Sequence, residues 1–254
     1  MEEIAERVWV ARHEYLDVNV GVVGGSRGLL VIDTLWSEAA ARDLADRLPG
    51  EVVAVVNTHD HWDHVLGNAA FGPPIHAHEH AARVIGEMDP RNESRIVVPD
   101  QVFSSVAAID LGDRYVELLH PGRGHTAGDV VVRVVDADVL FAGDLVEQGA
   151  PPAYGEDSFP LEWPAALDLL ADLIGGSTVV VPGHGTAVDQ DYVASQRGDQ
   201  GVVAETIRDL ASRGVPLADA LAAAEWPYDA EVLRHAVRLG YEHLPRSART
   251  LPLI

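Results

Sequence analysis

The sequence predicts an α/β fold in which two packed sheets are flanked by helices. Short runs of β-branched residues alternate with segments of helical periodicity, and polar loops follow several of the predicted strands. The chain has 254 residues, of which 47% are hydrophobic, so it is long enough to bury a sizeable core. We expect a single domain over residues 1–254, with a mostly helical C-terminal segment at 191–254.

The first half of the chain predicts an antiparallel meander, followed by helices and further strands. Turn-forming glycines separate the first three strand-like runs, and a serine is placed to cap the first helix. The expected strands are Arg7–Ala11, Val18–Val23, Leu29–Ile32, Val52–Val56 and Pro74–Ala77, and the expected helices are Ser37–Leu48 and Glu79–Gly86.

The second half predicts another meander and then mostly helices. Asp136–Asp138 suits a tight hairpin between two of its strands. The expected strands are Val106–Leu111, Tyr115–Leu119, Val130–Val135, Val139–Ala142 and Thr178–Val181. A helix is expected at Leu161–Ile174, and helices after Asp191 break at Gly214–Pro216 and Trp226–Pro227.

The charge of the chain excludes several function classes. The formal net charge is −22, and all 18 basic residues are arginines. Without lysine, a Schiff base or a phosphate-binding loop lysine is excluded. A chain this acidic repels phosphate backbones and anionic membranes, so we expect neither nucleic acid nor a membrane as a partner. The oligomeric state stays open.

Cysteine is absent, which excludes disulfides, thiolate nucleophiles and iron–sulfur clusters. Glu2 and Glu3 stand where a signal peptide would carry basic residues. No apolar run approaches the ~20 residues of a membrane-spanning helix. We therefore expect a cytoplasmic protein.

One motif, His59-x-His61-x-Asp63-His64, has the composition of a metal site. In an extended segment, side chains two residues apart share a side, so His59 and His61 can face one ion. Where the chain turns into a helix, Asp63 and His64 can reach a second ion. Nitrogen and carboxylate donors suit zinc best, although iron and manganese are also allowed.

Three further candidate ligands follow, each in a loop at the end of a predicted strand. His125 lies in a glycine-rich loop, Asp144 follows Phe141-Ala142-Gly143, and His184 lies in Val181-Pro182-Gly183-His184-Gly185. Loops at strand ends are common positions for functional side chains, because the rigid strands hold them in place.

With these seven positions filled, the sequence resembles the metallo-β-lactamase superfamily from about Val20 to His184. The resemblance implies a four-layer αβ/βα sandwich with its site at one edge of the sheets, and it identifies Asp33 as a structural aspartate near the site. By the same resemblance, His59, His61 and His125 would hold a first metal, Asp63, His64 and His184 a second, and Asp144 would bridge both.

Two divalent ions ~3.5–4 Å apart can share one water and lower its pKa toward neutrality, so the bridging hydroxide becomes the nucleophile. The sequence therefore predicts a hydrolase with two zinc ions per chain that attacks an ester, thioester, lactone or amide carbonyl of a small molecule. Asp63 and Asp144 are the expected catalytic carboxylates. Seven ligands leave coordination positions open, whereas a structural zinc site is usually closed with four.

Other functions stay open at this point. Some members of the superfamily are mononuclear iron dioxygenases that act on a persulfide, and others open the amide of a β-lactam. A metal-stabilised interaction module is a third alternative. For substrate contacts we expect Trp62, which lies between ligands, and Tyr154, which lies in the glycine- and proline-rich loop Glu147–Pro160.

Overall fold

The computed structural model describes residues 1–72, 74–89 and 94–245. Its first sheet is antiparallel from β1 to β4 and parallel from β4 to β7. In spatial order its strands are β1 (Glu2–Ala5), β2 (Val8–Arg12), β3 (Asn19–Gly25), β4 (Gly28–Ile32), β5 (Val52–Val56), β6 (Ile75–His78) and β7 (Gln101–Phe103).

The second sheet is antiparallel except at one edge, where β11 and β12 run parallel. In chain order its strands are β8 (Val106–Asp110), β9 (Tyr115–Leu119), β10 (Val131–Val134), β11 (Val139–Glu147) and β12 (Val179–His184). Their spatial order is β12, β11, β10, β9, β8.

The helices come between the strands and after the last one. Those before β7 are α1 (Glu38–Ala45), α2 (Trp62–Val65), α3 (Asn68–Phe71) and α4 (Glu79–Gly86). Those after β11 are α5 (Trp163–Ala171), α6 (Gln190–Ser212), α7 (Leu217–Ala220) and α8 (Ala230–His243).

Three of the hydrophobic clusters in the described part of the chain separate four successive layers. The middle cluster fills the space between the sheets and contains Leu30 and Phe141. A second lies between the first sheet and α1, and a third lies between the second sheet and α5, α6 and α8. Because side chains alternate along a strand, Val31 of β4 points to the second cluster while Leu30 points to the middle one.

The predicted α/β sandwich with two packed sheets is therefore confirmed, with differences at particular elements. β1 and β7 were not expected, and β11 continues to Glu147 instead of ending at Ala142. In place of the tight hairpin expected at Asp136–Asp138, Val135–Ala137 form a 3₁₀ turn, and Asp138 after it adopts a left-handed conformation at φ 52°. The C-terminal segment is mostly helical as far as it is described, and its residues 246–254 lie outside the described part.

None of the helices in the described part of the chain is long and apolar enough to cross a membrane.

The close approach of the two sheets at Gly21 generates a stability prediction. A Cβ at Gly21 would lie 2.5 Å from Cε1 of the buried Phe141 ring. We expect Gly21→Ala to lower the free energy of unfolding by ~1–3 kcal/mol, because the ring is packed between the sheets and has little room to move. Chemical denaturation of both proteins measures this difference.

The matched control is Gly198→Ala in α6, where the added methyl meets nothing within 4 Å. Alanine at an exposed helix position is expected to stabilise by ~0.5–1 kcal/mol. Equal effects of the two substitutions would contradict the proposed contact between the sheets.

Candidate metal centre

Six of the seven predicted ligands lie at or beyond the ends of strands, and the seventh, Asp144, lies within β11. His59 and His61 lie in the loop after β5, and α2 begins directly after His61 and carries Asp63 and His64. Asp144 lies in β11, and the neighbouring parallel strand β12 ends with His184; His125 lies between β9 and β10. In parallel α/β sheets, ligand sites commonly form at such strand ends.

A first group of donor atoms consists of His59, His61, His125 and Asp144, whose atoms all lie within 4.8 Å of one another. Nε2 of His125 is 2.8 Å from Nδ1 of His61. Oδ2 of Asp144 is 3.5 Å from Nε2 of His125 and 3.7 Å from Nε2 of His59. These four side chains therefore face one point.

A second group consists of Asp63, His64 and His184. Nε2 of His64 lies 3.2 Å from Nε2 of His184 and 3.8 Å from Oδ2 of Asp63. The Asp144 carboxylate reaches this group as well, because its Oδ1 is 3.3 Å from Nε2 of His64 and its Oδ2 is 3.3 Å from Nε2 of His184. Asp144 thus lies between the two groups, which is the position of a bridging ligand.

Each of the five histidines has an oxygen beside its other ring nitrogen, and all five oxygens can accept a hydrogen bond from a ring N–H. The pairs are His59 Nδ1 with Thr58 Oγ1 at 3.0 Å, His61 Nε2 with Asp157 Oδ2 at 3.0 Å, His64 Nδ1 with Asp33 Oδ2 at 2.8 Å, His125 Nδ1 with Ala153 O at 3.1 Å and His184 Nδ1 with Leu16 O at 2.7 Å. Such partners fix the tautomer of the neutral ring, so the nitrogen that faces the cluster is the one that can give its lone pair to a cation.

The residues fit a bound metal. Nε2 of His59 and Oδ1 of Asp144 are buried and make no hydrogen bond in the described structure. An unsatisfied buried polar atom costs ~1–3 kcal/mol, and lone pairs that face one another repel. Cations placed among the donors would remove both penalties. Gly183 packs against Asp144 so closely that a Cβ at this position would collide with Oδ1.

The electrostatics of the cluster also favour cations. Burial and the nearby charge of His61 lower the pKa of His125 to about 3. Burial lowers the pKa of His64 and His184 too, but carboxylates led by Asp144 outweigh it and raise these pKa values to about 10 and about 9. Metal binding would have to displace protons held in this way, so metal affinity is expected to rise with pH.

Asp33 connects the first sheet to the cluster. Its carboxylate accepts hydrogen bonds from the Thr58 backbone at 2.8 Å and the Thr58 hydroxyl at 2.7 Å, in addition to that from His64. It lies directly after β4 with φ 63°, a left-handed conformation that a non-glycine residue adopts only when the surrounding contacts stabilise it. The expectation of an aspartate near the site that supports it agrees with this geometry.

A pocket of about 410 Å³ opens over the cluster. The donors on its wall are His61, Asp63, His125, Asp144 and His184, and the other lining residues are Leu16, Asp17, Glu147, Gln148, Gly149, Ala150, Ala153 and Gly155. The loop after β11 therefore forms much of the pocket wall, as the sequence suggested for the region after Asp144.

The two expected substrate contacts lie elsewhere. Tyr154 is 5% exposed and packs against the Trp163 ring in the cluster beneath the second sheet, so its neighbours Ala153 and Gly155 line the pocket instead. Its place in the glycine- and proline-rich loop after Asp144 made it a candidate, but its side chain points to the core. Trp62 is half-buried at the start of α2 and is not among the pocket-lining residues of the described structure.

Sequence reasoning did not find Asp157 or Glu147. Asp157 hydrogen-bonds to His61 across 96 positions of the sequence, and no local pattern marks such a contact. Glu147 is 6% exposed, and burial and the charge of Asp144 raise its pKa to about 8. A carboxylate three residues after a candidate ligand, at the end of a strand, was the available signal.

An α/β sandwich with seven histidine and aspartate donors at its sheet ends is a candidate metalloprotein. The sequence profile of the metallo-beta-lactamase superfamily matches residues 14–184. The chain therefore belongs to the metallo-beta-lactamase superfamily, and the resemblance seen in the sequence is confirmed.

Known proteins with similar sequences include a metallo-beta-lactamase type 2 from Bacillus cereus. It is 26% identical over 220 residues, which cover 82% of this chain and 80% of that protein. The alpha subunit of a 2,4-dinitroanisole O-demethylase from a Nocardioides species is 27% identical over 161 residues, which cover 60% of this chain and 47% of that subunit.

Solved structures give the same fold. A metallo-beta-lactamase from Pontibacter korlensis superposes with a TM-score of 0.66 and 28% identity, covering 78% of this chain and 96% of that one. An inverting sec-alkylsulfatase from a Pseudomonas species superposes with a TM-score of 0.76 over 94% of this chain and 49% of that one, at 19% identity. The second likeness concerns the fold alone.

The contact between Asp157 and His61 generates a prediction about metal affinity. Asp157→Ala removes the acceptor for Nε2 of His61, which frees the ring to rotate and to change tautomer. We expect zinc to bind ~10-fold more weakly, the lower end of the usual effect of such partners, because His61 is partly exposed and water can replace the lost acceptor. Competition with a chromophoric chelator measures the affinity.

Glu156→Ala is the control, because Glu156 is the adjacent residue and its side chain is 82% exposed. Identical zinc affinities for the two variants would contradict the role assigned to Asp157.

Proposed function

We propose that this protein is a dinuclear zinc-dependent hydrolase that attacks an ester, thioester, lactone or amide carbonyl of a small molecule. The observation that carries the proposal is the arrangement of seven donors in two groups that share Asp144, beside an open pocket. Membership of the metallo-beta-lactamase superfamily supports hydrolysis.

The donor set supports zinc. It consists of five imidazoles and two carboxylates, which zinc prefers, while iron and manganese tolerate the same ligands. His59, His61 and His125 would hold the first ion, and Asp63, His64 and His184 the second, with Asp144 between them.

When bound, two divalent ions would supply a nucleophile from water at neutral pH and would polarise the carbonyl oxygen. The protein's own groups fix the geometry in which this happens. Asp63 and Asp144 both reach the pocket wall, so their remaining oxygen lone pairs can accept a hydrogen bond from a water molecule there and orient it. The hydrogen-bonded oxygens behind the five histidines keep the rings from turning during the reaction.

The first test of this proposal combines metal content with a substrate screen. We expect elemental analysis of the purified protein to find close to two ions per chain, mostly zinc. Chelation should abolish hydrolysis, and added zinc should restore it. The panel contains esters, thioesters, lactones, β-lactams and phosphodiesters. A fully active preparation that holds one ion per chain would contradict the dinuclear proposal. One iron per chain together with oxygen uptake would indicate a dioxygenase that acts on a persulfide instead of a hydrolase.

The second test is Asp144→Ala. Because Asp144 lies between both donor groups, its loss should release one ion and reduce kcat by ~100-fold or more on whichever substrate the screen identifies. Asp172→Ala, at an exposed position after α5, is the matched control. A circular dichroism melt establishes that each variant is folded. Two retained ions with nearly normal kcat would refute the bridging role of Asp144.

A third test concerns the partner. We propose a small-molecule substrate and no nucleic acid, because a net charge of −22 opposes collection of a phosphate backbone. No binding to tRNA or single-stranded DNA is expected at ~150 mM salt. Micromolar binding that weakens steeply as salt is added would favour a nuclease instead.

A further inference from the structure

Glu147 is a buried carboxylate in the wall of the pocket. It is the last residue of β11 and is 6% exposed. It lines the pocket together with Asp144 and His184. Unlike them, it belongs to neither donor group.

The backbone of Glu147 is fixed from the side of α6. The Tyr192 hydroxyl donates a hydrogen bond to its carbonyl oxygen at 2.7 Å, and its N–H donates to Oε1 of Gln196 at 3.2 Å. The N–H of Ala153 donates to Oε1 of Glu147 at 2.9 Å. Within the described structure this is the one hydrogen bond to its carboxylate, so a rigidly held acid keeps acceptor capacity beside the pocket.

Apart from the donor histidines, the described residues of the pocket wall include no positively charged side chain that could balance Glu147. The other charged lining residue outside the donor set is Asp17, which forms an ion pair with Arg12 at 2.7 Å. None of the described lining residues is an arginine, and the chain has no lysine.

Two divalent cations bound by the donor groups would not provide excess positive charge to neutralise Glu147. Four carboxylates either belong to the donor groups or hydrogen-bond to their histidines: Asp33, Asp63, Asp144 and Asp157. Their four negative charges match those of two divalent ions. A negative charge on Glu147 would add to a centre that is already balanced, and for this reason burial and the charge of Asp144 favour its protonated form. A cation seated beside the carboxyl group would favour the charged carboxylate instead.

We propose that Glu147 selects substrates that carry a cationic group beside the scissile carbonyl, and that the pocket rejects substrates with an anionic group there. This inference rests on the proposed hydrolase function. A cationic group of the substrate would offset the electrostatic cost of burying the Glu147 carboxylate. A carboxylate or sulfonate of the substrate would be repelled by it at short range.

The test uses three nitrophenyl esters of nearly equal shape: a butanoate capped with trimethylammonium, its neutral tert-butyl isostere and a sulfonate-capped analogue. The assays are run at pH 9, because the pKa of Glu147 is raised to about 8 and its carboxylate is charged above that pH. For the unaltered zinc-loaded protein we expect kcat/KM to be about tenfold or more higher for the cationic ester than for the neutral one, and lowest for the anionic one. In Glu147→Gln, which keeps the shape and removes the charge, the cationic-to-neutral ratio should fall toward one.

Glu156→Gln is the matched control, because it removes the same charge from an exposed position nine residues further along the chain, outside the pocket lining. It should keep the ratio of the unaltered protein. Calorimetric binding of the corresponding methyl ketones, which are not hydrolysed, gives a second readout that does not depend on turnover. Metal analysis of each variant accompanies both measurements.

The outcomes separate the two proposals. Hydrolysis of none of the esters, with the ketones still ranked cationic above neutral above anionic, would count against the hydrolase and support the selection. Hydrolysis without a charge preference, or the same ratio in Glu147→Gln, would overturn the role of Glu147. Loss of zinc from Glu147→Gln with an unchanged ratio would assign Glu147 to the metal centre instead and would also overturn it.

Discussion

Five imidazoles can turn their unprotonated nitrogens toward one another only if each ring has an acceptor for the proton on its other nitrogen. The structure supplies five such acceptors, and they come from four different parts of the chain. Two are backbone carbonyls, those of Leu16 and Ala153. Because the wrong tautomer would place an N–H inside the cluster and block a cation, the arrangement of donors depends on all of these contacts.

The layered fold is what brings these acceptors within reach. β4 and β5 run parallel, so Asp33 after β4 meets Thr58 and His64, which lie beyond the end of β5. In the second sheet, parallel pairing of β11 with β12 places Asp144 beside His184. Side chains from two sheets can form one centre because the hydrophobic cluster between the sheets fixes their separation.

Features that depend on residues close together in the sequence could be predicted, whereas features that depend on contacts between distant residues could not. Residue type and short spacing revealed four of the donors, and the other three could be found because each follows a predicted strand and fills a position of the superfamily pattern. Most strands could be found because they are apolar and β-branched. β1 begins with Glu2 and Glu3 at a sheet edge, and β7 has three residues, so neither shows a strand pattern. The carbonyl acceptors carry no side-chain signal at all, and Asp157 becomes a partner only through the path of its loop.

The chemistry and the pocket wall have different structural origins. All seven donors lie within residues 14–184, the part that matches the superfamily profile. Glu147 lies in the same part, but Tyr192 and Gln196, which hold its backbone, belong to α6 beyond it. The helix that follows the last donor therefore shapes the wall without contributing to the donor set. We therefore expect substitutions on that face of α6 to alter the pocket wall without changing the donor groups, and in this way one donor arrangement can be combined with different pockets.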